Sequence, residues 1–494
     1  MTHAQPQAND PALPREPGQS GQQPAQDSFS PPPGAGSPGV VFAVLALAVF
    51  ISALDVFIVN IAVPAIRSSF HGSSVADVSW VLNAYAIVFA ALLVPFGKLG
   101  DVVGRRRVFA AGLAAFGLGS ALCAASPSLG WLIAARVLQG AGAAAITPTS
   151  LGLLLPSIPP RIRAAAIGAW AALGAVGAAS GPPLGGLLTE VSWYWIFIIN
   201  VPLAAIALAA SYRVLPEIRD PARPPLPDWL GTALLIAAVS SVTFGLVQGP
   251  AWHWDGRTIG CFAAAAVLAA AFVAWSRRHQ APILEISILR VPAFALASLS
   301  AALFFAAFSA MLLGNVLFLT GVWHYSVLHA GLALTPGPVA AAVFAPVAGR
   351  LSQRIGPGLV GGVGALLFGA GSALWIALIG LQPDYWARFF PAMLIGGSGV
   401  GLALPAFTIA ATATLPPHKL ATGIGAQTMF RQIGATVGVA AFVAVLGTPT
   451  LGTVIAAYNH TRVFMIASAA AAAVALALIP RRARALLADA TVRV

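Results

Sequence analysis

The stretch Gly97-Lys-Leu-Gly-Asp-Val-Val-Gly-Arg-Arg-Arg107 decides the fold of this chain, because it sets eleven glycine-rich and charged residues between two long apolar runs. The runs, residues 78–96 and 108–125, are each long enough to cross about 30 Å of hydrocarbon at about 1.5 Å per residue. The chain must therefore reverse direction at a membrane surface. The three glycines permit close backbone approach there. The four basic residues would hold the reversal on the cytoplasmic side.

The composition excludes a soluble globular protein. Hydrophobic residues make up 59% of the 494 residues, 8% are charged, and the mean hydropathy is +0.87, whereas a soluble domain carries about 25% charged residues. The net charge of +12 would suggest nucleic acid binding in a soluble protein. Here most of the basic residues fall in segments on one side of the membrane, so no nucleic acid partner is expected.

Long apolar runs predict an all-α membrane protein with fourteen spans. The predicted spans are residues 39–64, 78–96, 107–126, 130–155, 164–189, 194–212, 228–248, 258–275, 293–320, 329–349, 358–381, 387–406, 421–446 and 461–480. The distribution of Lys and Arg among the loops predicts a multi-pass protein of the cytoplasmic cell membrane with both termini in the cytoplasm.

A weak internal repeat predicts two six-helix halves. Gly349-Arg-Leu-Ser-Gln-Arg-Ile-Gly356 repeats the glycine and leucine spacing of residues 97–104, with Gln353 in the place of Asp101. The repeat leaves spans 7 and 8 as an insertion. The predicted organisation is a disordered cytoplasmic tail (1–38), an N-terminal six-helix bundle (39–212), a linker with the two inserted helices (213–292), a C-terminal six-helix bundle (293–480) and a second cytoplasmic tail (481–494).

Five motifs carry a resemblance to a known family. Residues 97–107 resemble motif A of the major facilitator superfamily, Arg136-Val-Leu-Gln-Gly-Ala-Gly142 resembles its motif B, and Gly177-Ala-Ala-Ser-Gly-Pro-Pro-Leu-Gly-Gly186 resembles its antiporter motif C. The runs 54–64 and 193–202 are similar to signatures of the fourteen-span drug:proton antiporter branch, although Phe57 replaces Thr and Tyr194 replaces Arg. The resemblance implies the major facilitator fold and proton-coupled multidrug efflux.

Three residues are candidates for proton coupling. Asp55 is the one acidic residue deep within a predicted span, where a carboxylate must be neutralised, paired or exposed to water. Counting residues along the spans places Arg136 at a similar depth, so a pair is expected. A static pair that only fixes helix packing remains an alternative. Glu190, at the outer end of span 5, is the third candidate, and a solvated surface carboxylate is its alternative.

The first and third motifs supply further candidates. The conformational hinge is predicted at Gly97, Asp101, Gly104, Arg105 and Arg106, with Asp101 either pairing with an arginine or capping a helix N-terminus. The antiporter motif, whose small residues would let a neighbouring helix pack closely against a bent span 5, comprises Gly177, Gly181, Pro182, Gly185 and Gly186.

Polar and aromatic residues within the spans are candidates for a substrate cavity, although lone amides of this kind also join helices to one another. The candidates are Asn83, Tyr85, Gln139, Trp170, Asn315, Gln427, Phe430 and Arg431. For Arg431, a hydrogen bond to helix-end carbonyls is the alternative.

The expected function is export of drugs or other amphipathic small molecules in exchange for protons, by alternating access. No G-x-x-x-x-G-K-[ST] motif occurs, so an ion gradient would supply the energy. Besides substrate, protons and the lipid bilayer, a periplasmic adaptor is expected as a partner if the source has an outer membrane; no cofactor or metal is expected. The alternatives are a proton-coupled importer of a nutrient or siderophore, an intramembrane enzyme and a non-transporting receptor.

Overall fold

The computed structural model describes residues 32–222, 225–416 and 419–479, with the side chains of Ala164 and Ala421 omitted. Within these residues fourteen helices, α1 to α14, are long and apolar enough to cross a membrane. They span Pro38–Ser69, Val75–Val103, Arg105–Ala124, Leu129–Ser157, Ala165–Val191, Trp195–Val214, Trp229–Gln248, Gly256–Ser276, Pro292–Gly321, Val327–Ile355, Pro357–Leu378, Tyr385–Thr412, Thr422–Leu446 and Val454–Ala477. The predicted tail 481–494 and most of the tail 1–38 lie outside the described residues.

The predicted number and order of spans are confirmed, but the predicted loop between spans 2 and 3 is wrong. Helix α2 continues to Val103 and α3 begins at Arg105, so Gly104 alone separates them. Its φ of +128° is one that residues with a side chain rarely adopt. The prediction failed because Gly97 and Gly100 were interpreted as turn residues. They instead lie within α2 and pack against Pro148 and Thr149 of α4.

The internal repeat is visible in the backbone. Gly356, with φ +89°, is the only residue between α10 and α11, as Gly104 is between α2 and α3. The next helix contact is repeated too, between α3 and α4 and between α11 and α12: a Cβ on Gly142 or on Gly399 would lie 2.5 Å from the backbone nitrogen of Phe116 or Phe368 respectively. The two halves therefore share one architecture despite little identity in side chains.

Helices α1 to α6 pack mainly on one another, and α9 to α14 do the same. The inserted helices α7 and α8 pair with each other, and α7 also lies against α2 and α13. The insertion therefore runs along a line where the two halves meet.

The motif C glycines allow α5 to pack closely against α1. Successive glycines of α5 face the backbone of α1, and a Cβ on Gly177 would lie 2.6 Å from the carbonyl oxygen of Phe50. The next glycine, Gly181, faces Phe57, and Gly185 faces Ile58. Helix α5 runs through Pro182 and Pro183 without interruption.

The two halves meet at the C-terminal end of α5. Gly186 packs on Val327 and Leu328 at the start of α10, and Gly331 of α10 packs on the carbonyl of Pro182. Apolar side chains are exposed along both helices, including Val176 (51%) and Leu187 (55%) of α5 and Val343 of α10 (62%).

Candidate functional site

A buried ion pair joins α1 to α4. Arg136 Nη1 lies 2.5 Å from Asp55 Oδ2, and the two side chains are 1% and 0% exposed. The expected pairing of these residues is therefore present in the structure. Burial removes the water that would otherwise solvate both charges, so each depends on the other and on nearby dipoles.

Amide groups hold the second carboxylate oxygen. Gln139 Nε2 donates to Asp55 Oδ1 at 2.7 Å, and Asn200 Nδ2 donates to the same oxygen at 3.1 Å. Gln139 also donates to Ser120 Oγ at 2.8 Å. Both carboxylate oxygens of Asp55 therefore have partners in this conformation.

The guanidinium of Arg136 is fixed on several sides. Its Nε donates to the carbonyl of Val81 at 3.0 Å, and its Nη1 donates to Gln139 Oε1 at 2.6 Å. The guanidinium carbon lies 4.1 Å from the centroid of the Tyr85 ring, a favourable cation–π position. Gln139 and Tyr85, which the sequence suggested as cavity residues, are thus part of the ion-pair cluster.

Asn200 was missed at the sequence level. It lies in the run 193–202, so the signal was present, but only the tertiary structure shows that α6 brings it to Asp55.

Protonation of Asp55 would remove the counter-charge of Arg136. It would also leave the amides of Gln139 and Asn200 donating to a weaker acceptor.

Glu190 lies apart from this cluster. It is the residue before the last in α5, and its side chain is exposed. Its part in proton coupling stays a prediction.

The predicted hinge residues form a charged network at the break between α2 and α3. Arg105 Nε lies 2.8 Å from Asp101 Oδ1, and Arg105 Nη1 donates to the carbonyl of Gly152 in α4 at 2.6 Å. Arg106 reaches Glu217 and the carbonyl of Leu215 in the segment that follows α6. The network therefore connects α2, α3, α4 and the start of the linker.

Glu217 is the residue of this network that the sequence did not reveal, since no motif contains it. Its carboxylate occupies the space beside Gly104 that a Cβ would need. The linker is held at two further points: Lys98 Nζ donates to the carbonyl of Pro282 at 2.7 Å, and Lys419 Nζ lies 2.9 Å from Glu285 Oε2.

The remaining cavity candidates are not gathered into one cluster. Asn83 and Asn315 are 0% and 6% exposed, and each has an amide nitrogen without a hydrogen-bond partner among the described residues. Trp170 Nε1 has none there either, and Trp170 and Phe430 are half-buried. Arg431 and Gln427 share one face of α13.

Fourteen membrane helices in two similar halves, with a buried ion pair in the first half, define a multi-pass membrane transport protein. Residues 45–439 match the model of the Major Facilitator Superfamily. The chain therefore belongs to this family of transporters and is not an enzyme; it acts on small molecules from within the membrane.

Curated relatives of the chain have names that refer to drugs. It is 34% identical over 413 residues to the multidrug resistance protein Stp of Mycobacterium tuberculosis. The aligned region covers 81% of this chain and 74% of the relative. It is 33% identical over 408 residues to the tetracenomycin C resistance and export protein of Streptomyces glaucescens, covering 82% and 75%.

Among solved structures, the fold is similar to that of a peptide transporter POT crystallised with sulfate. The TM-score is 0.65 at 16% identity, over 92% of this chain and 96% of the other. At this identity the likeness concerns the fold alone.

Proposed function

We propose that the protein is a proton-coupled antiporter that exports drugs or other amphipathic small molecules across the cytoplasmic membrane. The observation that carries the proposal is Asp55, a fully buried carboxylate held by Arg136, Gln139 and Asn200. A carboxylate within the membrane is costly and therefore rare, and those that occur commonly mark ion pathways. Export is favoured over import because the relatives matched are named for resistance and export.

Both termini are proposed to lie in the cytoplasm, because most Lys and Arg then also lie there. In that orientation the contact between α5 and α10 at Gly186 and Leu328 closes the outer end. Under alternating access, a conformation closed at its outer end is the one that admits substrate from the cytoplasm.

The proposed moving bodies are the bundles 39–212 and 293–480, with the segment 213–292 between them. Protonation of Asp55 from outside frees Arg136 from its counter-charge, and loss of the proton to the cytoplasm restores the pair shown here. The change is transmitted through α1, which carries Asp55 and packs on the glycines of α5. Because α5 also forms the outer contact with α10, the ion pair and the outer closure share one helix.

The network around Gly104 is proposed to stabilise the cytoplasm-open conformation. It fixes α2 and α3 to α4 through Arg105 and to the linker through Glu217. A change in the tilt of the first bundle would alter these contacts, so they contribute to the energy difference between the two conformations.

Everted membrane vesicles test the proposal. In such vesicles export appears as uptake, and an acidic interior supplies the driving gradient. We expect wild-type vesicles to accumulate at least one dye of a panel that includes rhodamine 123, fluorescein and a neutral xanthene ester. A protonophore should abolish the accumulation. Accumulation that persists with the protonophore, or that occurs only in right-side-out vesicles, contradicts proton-driven export.

A further inference from the structure

Arg431 is a cation within the membrane that lacks an acidic partner. It is the tenth residue of α13, and it forms no ion pair among the described residues. Its Nε is buried and has no hydrogen-bond partner among them. None of the helices α9 to α14 contains an Asp or a Glu, so the membrane-spanning part of the C-terminal half cannot supply a counter-charge.

The other deeply placed arginines differ in this respect. Arg136 is neutralised by Asp55, and Arg462 donates from Nη1 to Asn459 Oδ1 at 2.9 Å. Arg431 is only partly buried as a whole residue, so part of its side chain remains accessible. Charge without a partner, together with access, is what an anion-binding group requires.

The surroundings of Arg431 are aromatic. Its guanidinium carbon lies 4.4 Å from the centroid of the Phe305 ring in α9. The ring centroids of Phe305 and Phe308 lie 5.8 Å apart, and those of Phe308 and Phe57 of α1 lie 6.3 Å apart. These rings lead from Arg431 across the junction of the two halves to a residue two positions from Asp55.

A second donor lies on the same face of α13. Gln427 precedes Arg431 by four residues, which places the two side chains one helical turn apart. Gln427 Nε2 is buried and has no hydrogen-bond partner among the described residues. An acceptor group on a ligand could therefore meet a guanidinium and an amide together.

We propose that Arg431 and Gln427 bind the anionic group of a planar aromatic substrate, a phenolate or a carboxylate, whose ring packs on Phe305 and Phe308. This inference rests on the proposed export function and specifies its substrate class. The anion would neutralise a charge that the protein leaves without a partner, and the rings would supply apolar contact.

Equilibrium binding to the purified full-length protein in detergent separates this inference from transport itself. The probes are fluorescein, an anionic xanthene dye, and rhodamine 123, a cationic dye of similar shape, each followed by fluorescence anisotropy. We expect fluorescein to bind, and Arg431→Gln to weaken its binding by about tenfold or more, as loss of a charged hydrogen bond does. Arg431→Lys should lose less, and Gln427→Leu should weaken the binding to a smaller extent.

A matched control is Arg462→Gln, which also removes an arginine of the C-terminal half whose guanidinium lies over a phenylalanine ring. It should leave fluorescein binding unchanged, and thermal melting of each variant identifies any that fails to fold. The inference is overturned if wild type does not bind fluorescein, if Arg431→Gln binds it as wild type does, or if that variant loses fluorescein and rhodamine 123 equally. None of these outcomes concerns proton-driven export, which the vesicle experiment tests separately.

Discussion

The carboxylate of Glu217 lies on the first turn of α3: its Oε1 accepts a hydrogen bond from the backbone N–H of Arg106 at 3.2 Å. Its Oε2 lies 3.7 Å from Arg106 Nε and 3.5 Å from Arg107 Nε. Three arginines at a helix N-terminus oppose the helix dipole, and an anion there offsets that cost. The segment after α6 is therefore fixed to the break between α2 and α3 both by ion pairs and by a hydrogen bond from the backbone of α3.

Glu217→Gln tests this contact. Glutamine keeps the shape and the acceptor for the Arg106 N–H but loses the charge. We therefore expect slower dye accumulation in everted vesicles, while dye binding to the purified protein in detergent stays unchanged. The effect on stability should be below about 1 kcal/mol, because the network is partly exposed. Asp255→Asn, at an exposed pair with Arg257 of 3.8 Å, should change neither quantity. An unaltered rate in Glu217→Gln would remove this carboxylate from the conformational change.

Alanine at three glycines separates backbone strain from steric collision. Gly104→Ala suffers both, because φ is +128° and the Glu217 carboxylate occupies the Cβ position. Gly356→Ala, at φ +89°, suffers strain alone, and Gly362→Ala suffers neither, since nothing lies within 4 Å of either added Cβ. Strain of this kind costs roughly 1–3 kcal/mol. Melting temperatures in detergent should therefore fall most for Gly104→Ala, less for Gly356→Ala and little for Gly362→Ala; equal values for the first two would argue against the collision.

Two glycines of α5 test the close contact with α1. A Cβ on Gly177 would lie 2.6 Å from the carbonyl oxygen of Phe50, whereas a Cβ on Gly174 would lie 3.4 Å from Val49 Cγ1. We expect Gly177→Ala to force α1 and α5 apart, lowering the melting temperature and the rate of dye accumulation together. Gly174→Ala should be tolerated. Tolerance at both positions would mean that this contact is not needed for transport.

Much of the fold follows from the sequence because membrane thickness dictates span length. The same counting placed Asp55 and Arg136 at similar depth, and the structure joins them at 2.5 Å. The length of the hinge did not follow, because glycine within a helix and glycine in a turn look alike in sequence. Asn200 and Glu217 were missed for another reason: they reach their partners through the return of α6 and the linker, which are tertiary contacts.

The most direct test of the central claim is proton release on dye binding by the purified protein. The protein, in weakly buffered detergent solution at a pH where Asp55 is partly protonated, receives a dye that wild-type vesicles accumulate, and a pH indicator reports the change. We predict that wild type releases protons, that Asp55→Asn releases none while still binding the dye, and that Asp255→Asn releases as many as wild type. Undiminished proton release from Asp55→Asn would contradict the assignment of proton coupling to the Asp55–Arg136 pair.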